Sequence, residues 1–170
     1  MKCFIFLSVI LVILFQKGQS CLKRRSTDDV CECSDFLNLA LFPLTRNDTL
    51  FTEGAGCDRN ATCGSHYFTY LRSGFNISEI TPPSDLSNSN RNAFLQTVPS
   101  QEGWEAPTGP PVNLFSFFGI ICENSKWYAT KYPLGISYNT IDSQSKEFGL
   151  GGEFDGKKSE IDGFACRPAA

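Results

Sequence analysis

The side chains able to carry acid–base chemistry are few in this sequence, and no spacing joins them into a reactive set. His66 is the single histidine, and histidine is the side chain whose unperturbed pKa lies nearest to neutral pH. Ser65, its neighbour, would point to the opposite face of a strand, so the two cannot form a nucleophile–base pair. We therefore predict no catalytic residue and interpret His66 as an ordinary position on a strand surface.

Carboxylates in pairs can hydrolyse glycosidic bonds, and in clusters they can hold calcium. The acidic side chains that could do so lie in predicted loops: Glu102, Glu105, Glu147, Glu153, Asp155, Glu160 and Asp162. No motif surrounds them, and their spacing does not match an EF-hand loop, so we interpret them as solvated charges. The glycines at 149, 151 and 152 lack the Lys-Ser/Thr ending of a phosphate loop. No metal or cofactor is expected.

The cysteines carry the clearest chemistry in the chain, which has eight of them. A zinc site is not expected, because there is no C-x-x-C pair and only one histidine. In an exported protein such cysteines indicate disulfide bonds. The six expected to form bridges are Cys31, Cys33, Cys57, Cys63, Cys122 and Cys166. Cys3 lies in the leader, so an odd number remains, and Cys21 is the candidate for a free thiol or for a disulfide-linked dimer.

The N-terminus has the layout of a signal peptide over residues 1–20. Lys2 gives a basic start, an apolar run follows to Phe15, and Gly18 and Ser20 are the small residues of a cleavage site. The apolar run is shorter than the about 20 residues that a membrane helix needs. We expect secretion without a stable membrane anchor. The formal charge of −3 also gives no electrostatic footprint for nucleic acid.

Three N-glycosylation acceptors follow the predicted signal peptide. They are Asn47-Asp48-Thr49, Asn60-Ala61-Thr62 and Asn76-Ile77-Ser78. An acceptor asparagine must be accessible to carry a glycan, so we expect all three side chains to be exposed.

Short runs rich in aromatic and β-branched residues predict strands over 66–71, 114–122, 126–132, 135–138 and 158–166. We expect 114–122 to be the central buried strand and 126–132 to return beside it as a hairpin, with Trp127 in the core. Ser34 or Asp35 is expected to cap a helical turn before Pro43. No long helical periodicity is present. The sequence thus predicts a mainly β, disulfide-stapled, β-sandwich-like domain with long irregular loops.

The predicted organisation is an irregular N-terminal segment 21–56, a β-rich disulfide domain 57–166 and a tail 167–170. Two polar stretches, 79–113 and 142–160, look like loops, and 79–113 is the longer insertion. Phe94 and Trp104 lie in this insertion. An aromatic side chain in a polar loop is poorly explained by packing, so these two are the candidate ligand contacts.

The cysteine spacing of the second half resembles a family of small secreted nematode proteins that share a cysteine-containing domain of unknown function. The matching residues are Gly56-Cys57, Cys63, Cys122 with Lys126-Trp127, and Cys166, with Cys31-Glu32-Cys33 upstream. The resemblance covers residues 57–166, although the insertion at 79–113 and the stretch between Trp127 and Cys166 depart from it. It implies an extracellular, disulfide-bonded, mainly β module and supplies no catalytic residue.

Cys31-Glu32-Cys33 is too tight to close on itself, so each of its cysteines must pair elsewhere. We predict that these two pair with Cys57 and Cys63 in some order and that Cys122 pairs with Cys166. The alternative joins Cys63 to Cys122 and adds a long-range bridge to Cys166. For function we predict an extracellular binding module for a protein or a glycan. The alternatives are a secreted defence or effector protein, such as an inhibitor, and then a hydrolase.

Overall fold

The computed structural model describes residues 30–44, 50–99 and 109–166. The predictions for the signal peptide, Cys21, Asn47, Trp104 and the tail 167–170 fall outside these residues. Strands dominate the described secondary structure, and this confirms the predicted mainly β class.

The described residues form ten strands, a 3₁₀ helix and one short α-helix. In chain order they are the 3₁₀ helix Phe36–Leu39, β1 Leu50–Glu53, β2 Arg59–Ser65, β3 Tyr70–Ser78, β4 Asn92–Gln96, β5 Gly109–Asn113, α1 Leu114–Phe118, β6 Ile121–Glu123, β7 Lys126–Ala129, β8 Ile136–Asn139, β9 Ser145–Phe148 and β10 Ser159–Ala165.

These strands build two antiparallel sheets. The small sheet has the order β1-β2-β5, and the large sheet has the order β6-β7-β10-β3-β4-β8-β9. Side chains alternate across the large sheet, since a strand has a period of two. On β3, Leu71, Ser73 and Phe75 are buried, whereas Tyr70 and Arg72 on the alternate positions are partly exposed and Asn76 is exposed. The large sheet therefore has one face in the core and one face in solvent.

The N-terminal segment is part of the core. The 3₁₀ helix begins where the Asp35 carboxylate accepts a hydrogen bond from the Leu37 backbone N–H at 2.9 Å, as predicted for the cap. Phe36 is fully buried and packs against the rings of Phe115, Trp127 and Phe164. The segment predicted as irregular thus contributes a central core side chain.

Two predicted strands are wrong. Residues 114–122 contain α1 because the Asn113 side chain caps its start and Gly119, with a φ of 58°, ends it in the left-handed region. β6 follows and lies at an edge of the large sheet rather than at its centre. Residues 66–69 form the turn between β2 and β3, so the predicted strand 66–71 is divided between a turn and β3.

The two predicted loops also contain strands. The stretch 79–113 includes β4, which lies between β3 and β8 inside the large sheet, and β5, which pairs with β2. The stretch 142–160 includes β9. The hairpin formed by β6 and β7, the strand β8 and the closing strand β10 agree with the prediction.

All six bridge candidates form disulfides, but only one predicted pair is present. The bonds are Cys31–Cys57, Cys33–Cys122 and Cys63–Cys166, with Cα separations of 4.6, 5.9 and 5.5 Å. The predicted Cys122–Cys166 pair is wrong, and so is the pairing of Cys33 with Cys63. The alternative that joined Cys63 to Cys122 is also wrong. Cys63–Cys166 instead connects β2 of the small sheet to the end of β10 in the large sheet.

A buried tyrosine ties the end of β7 to the start of β10. The Tyr132 hydroxyl lies 2.8 Å from Ser159 Oγ and 3.2 Å from the carbonyl oxygens of Ala129 and Lys157. Burial raises the pKa of Tyr132 to about 12, and the hydrogen bond to Ser159 opposes part of that rise.

This raised pKa predicts a loss of stability in alkali. Above pH 10 the unfolded tyrosine releases its proton while the folded one keeps it, so the free energy of unfolding falls as pH rises from about 10 to 12. Two pH units correspond to about 3 kcal/mol. Urea denaturation at several pH values should show this loss for the native protein and a shallower one for Tyr132→Phe. Equal slopes for the two proteins would contradict the assignment.

Candidate functional site

The solvent-facing side of the large sheet carries ion pairs and an aromatic cavity. Lys126 pairs with Glu160 and Arg72 pairs with Asp162, each at 2.7 Å. Beside the turn 66–69 a cavity of 230 Å³ is open to solvent. It is lined by Tyr67, Phe68, Tyr70, Phe94, Gln96, Ser137, Asn139 and Ser145, and we call this the aromatic pocket.

Strand register brings these residues together. On β3 and β4, Tyr70 is opposite Gln96, and on β4 and β8, Phe94 is opposite Ser137. Alternate residues of a strand share a face, so Phe94 and Gln96 lie on the same side. Antiparallel pairing thus collects side chains that are far apart in sequence.

Four aromatic rings dominate the pocket. The rings of Tyr70 and Phe94 meet edge to face with centroids 5.3 Å apart, and those of Tyr67 and Phe68 do the same at 5.0 Å. Phe68 is 46% exposed, which is high for a ring of this size. The free protein therefore leaves apolar ring surface in contact with water, where a ligand could cover it.

The turn that carries Tyr67 and Phe68 is fixed by buried hydrogen bonds. Thr97 Oγ1 accepts from the His66 backbone N–H at 3.1 Å and lies 3.0 Å from the His66 carbonyl oxygen. The Thr69 hydroxyl donates to the carbonyl oxygen of Gly64 at 2.8 Å. These contacts fix the backbone of the turn before any ligand binds, which lowers the entropic cost of binding.

Polar groups of the pocket are amides and hydroxyls. The Gln96 amide donates to the Tyr67 carbonyl oxygen at 3.4 Å, and the hydroxyl oxygens of Ser137 and Ser145 lie 3.2 Å apart. The side-chain amide of Asn139 and the hydroxyl of Tyr67 make no hydrogen bond to another described residue. Both groups are therefore available to a ligand.

The floor of the pocket is supported from the opposite face of the sheet. The Asp85 carboxylate accepts hydrogen bonds from Lys146 at 2.7 Å and from the Tyr138 hydroxyl at 2.8 Å. The hydrogen bond from Lys146 lowers the pKa of Asp85, and that from Tyr138 adds to the effect. These bonds fasten the segment after β3 to the hairpin formed by β8 and β9.

The predicted site residues fare differently. Phe94 lies in the aromatic pocket, whereas Trp104 is outside the described residues. The prediction that His66 lies on a strand surface is wrong, because His66 belongs to the turn between β2 and β3 and is buried at 8% exposure. Its Nδ1 accepts a hydrogen bond from the Phe68 backbone N–H at 3.1 Å. It thus supports Phe68. Tyr67 and Tyr70 were within the predicted strand 66–71, which would place them on opposite faces, so the sequence did not bring them together with Phe94.

The remaining predicted features lie away from the pocket. Asn76 is exposed, as an acceptor requires, and Asn60 is half-buried on β2. Glu160 and Asp162 are held in the ion pairs described above. The sulfur atoms of Cys31, Cys33 and Cys122 lie within 4.8 Å of one another, but all three are in disulfides and offer no thiolate to a metal. Within the described part of the chain, no helix is long and apolar enough to cross a membrane.

Fold and disulfides define a small, mainly β domain with two antiparallel sheets and three bridges among the described residues. The chain matches the model of the family described as TRA-1 regulated protein R03H10.4 over residues 29–166. That match covers most of the chain, so the protein belongs to this nematode family. The resemblance drawn from the cysteine spacing is confirmed. No curated protein and no solved structure matches the chain.

Proposed function

We propose that the protein is a secreted binding module that holds a neutral glycan in the aromatic pocket. The observation that carries this proposal is the composition of the pocket: four aromatic rings, two amides and two serine hydroxyls, without a charged side chain. Secretion is supported by the predicted signal peptide and by the disulfides, which persist in oxidising compartments.

A sugar ring matches this lining in two ways. Its C–H groups form apolar faces, which pack on exposed aromatic rings such as Phe68, and its hydroxyls surround those faces. The hydroxyls can exchange hydrogen bonds with the amide of Asn139 and the phenol of Tyr67. Ligand pockets commonly combine apolar walls with a few polar groups that fix orientation. At 230 Å³ the cavity suits one ring of a glycan better than an extended peptide.

The absence of charge in the lining argues for a neutral ligand. A carboxylate or phosphate brought into contact with the rings would lose water without gaining a cation. The cations nearest in the sheet, such as Arg72 and Lys146, are paired with Asp162 and Asp85. We therefore expect discrimination against acidic glycans.

The first test is binding to an array of neutral and sialylated glycans, followed by calorimetric titration with the strongest neutral glycan. Phe68→Ala should weaken binding about ten-fold, because it removes the exposed ring, and about 1.4 kcal/mol corresponds to that factor. Leu150→Ala is the matched control, since Leu150 is 62% exposed and does not line the pocket. It should bind like the native protein.

A second variant separates hydrogen bonding from ring contact. Asn139→Ala should weaken binding several-fold while leaving Phe68 in place. Three results would each refute the proposal: no neutral glycan binds, sialylated glycans bind best, or Phe68→Ala and Leu150→Ala bind equally well.

A further inference from the structure

Two of the disulfides lie side by side, far from the aromatic pocket. The bridges Cys31–Cys57 and Cys33–Cys122 each include one cysteine of Cys31-Glu32-Cys33, so these two cysteines are separated in sequence by a single residue. The sulfur atoms of Cys31, Cys33 and Cys122 all lie within 4.8 Å of one another. Sulfurs of two separate bridges are thus close enough for one to attack the other after a small movement.

One cysteine of each bridge lines a common groove. The groove has a volume of 500 Å³, and Cys57 and Cys122 both line it, together with Arg59 and the apolar side chains of Phe115, Ile120 and Ile121. Ile121 is 39% exposed. The third bridge differs, because Cys63 is fully buried and Cys166 is 9% exposed. A thiol in solution should therefore reach the paired bridges more readily than the third.

Charge favours attack at Cys57 over Cys122. The Arg59 guanidinium donates to the carbonyl oxygens of Gly56 and Asp58 at 3.0 and 2.8 Å, so it lies against the turn that carries Cys57. Glu53 pairs with it at 3.3 Å, and Asp58 also lines the groove, so the Cys57 side carries charges of both signs. At Cys122 a carboxylate oxygen of Glu32 lies 4.0 Å from Sγ. An incoming thiolate is negative, so it is repelled more at Cys122 than at Cys57.

We propose that these bridges form an exchange-active disulfide pair that accepts a thiolate from a cysteine-containing partner. The partner thiolate forms a bond to Cys57 Sγ, the Cys31–Cys57 bond breaks, and the electron pair leaves on Cys31. The Cys31 thiolate then attacks Cys122 Sγ, which forms Cys31–Cys122 and releases Cys33 as a thiolate. The Cys33 thiolate then takes a proton from water and becomes a thiol, the neutral form that suits its buried position. Both steps are thiol–disulfide exchange, so no net oxidant or reductant is consumed.

The second step distinguishes this pair from two independent bridges. Without it, the Cys31 thiolate would re-attack the mixed disulfide and expel the partner. With it, the partner stays attached to Cys57 while Cys31 is held in a new bond. The pair would thus capture a thiol-bearing partner covalently, and this activity is independent of glycan binding.

The test uses folded Cys21→Ser protein, in which glutathione is the only thiol supplied. The protein is treated with glutathione at pH 8, alkylated at intervals and mapped by mass spectrometry of non-reduced peptides. We expect glutathione on Cys57 together with a Cys31–Cys122 peptide. We also expect Cys63–Cys166 to react at least ten-fold more slowly, and it serves as the internal control.

Two outcomes overturn the proposal. One is glutathione on Cys57 with alkylated Cys31 and an intact Cys33–Cys122 bond at every time. The other is equal reaction of all three bridges, which would indicate unfolding rather than local exchange. Cys33→Ser/Cys122→Ser protein provides a further check, because it lacks the acceptor bridge. It should release glutathione from Cys57 faster than the parent protein does.

Discussion

Replacement of both Cys63 and Cys166 by alanine is expected to lower the free energy of unfolding by about 4.7 kcal/mol. This bridge spans a sequence separation of 103 residues, the largest of the three among the described residues. Closing a longer loop removes more conformational entropy from the unfolded chain. The bond also joins the small sheet to the large one, so its loss removes a covalent link between the two sheets. Urea denaturation at pH 7 measures the change.

The matched control is the double replacement of Cys31 and Cys57 by alanine. Their separation is 26 residues, so the loop-entropy term predicts a loss of about 3.5 kcal/mol. The two variants should therefore differ by about 1 kcal/mol, and the Cys63 variant should unfold at the lower urea concentration. The reverse order would show that constraint of the unfolded chain is not what makes the long bridge stabilising.

Local signals in the sequence predicted the hairpin of β6 and β7 correctly. The turn between these strands contains Asn124 and Ser125, whose φ angles are 51° and 61°. Two consecutive left-handed residues are typical of the two-residue hairpin turn, and asparagine tolerates that conformation better than most residues. The alternation in Lys126–Ala129 then places Trp127 in the core. Each of these signals spans only a few residues.

The stretch 114–122 shows where apolar composition misleads. A short apolar run fits a buried strand and a buried helix equally well, and only its ends can distinguish them. Those ends were informative: the Asn113 side chain accepts a hydrogen bond from the Phe115 backbone N–H, and Gly119 supplies the left-handed cap. The capping residues favoured a helix, although the aromatic and β-branched content favoured a strand.

The aromatic pocket could not be predicted because it depends on register between distant strands. Phe94 was a candidate contact for the wrong reason, since it lies on a central strand rather than in a loop. Its neighbours in the pocket come from β3 and from Ser137, opposite it on β8. Nothing local to β4 specifies that neighbour. The disulfide connectivity was out of reach for the same reason, because six cysteines allow 15 pairings.

Phe36→Ala is expected to lower the free energy of unfolding by about 3–5 kcal/mol, the range found when a buried phenylalanine is truncated. Phe36 is fully buried, and its ring centroid lies 4.7 Å from that of Phe164, 4.8 Å from that of Phe115 and 5.7 Å from that of Trp127. The segment is also held by the Trp127 indole N–H, which donates to the Ser34 carbonyl oxygen at 2.9 Å. This bond limits how far the segment can move to fill the cavity that the ring would leave.

Phe42→Ala is the matched control for this substitution, because Phe42 belongs to the same N-terminal segment but is 42% exposed. It should cost less than about 1 kcal/mol in the same urea titration. Similar losses for the two variants would mean that the segment is held by its bridges alone, and that Phe36 adds little to the core. A difference of several kcal/mol is the expected result, and it would show that the segment upstream of β1 completes the core. The sequence pattern had predicted this segment to be irregular and had assigned the core to the β-rich domain.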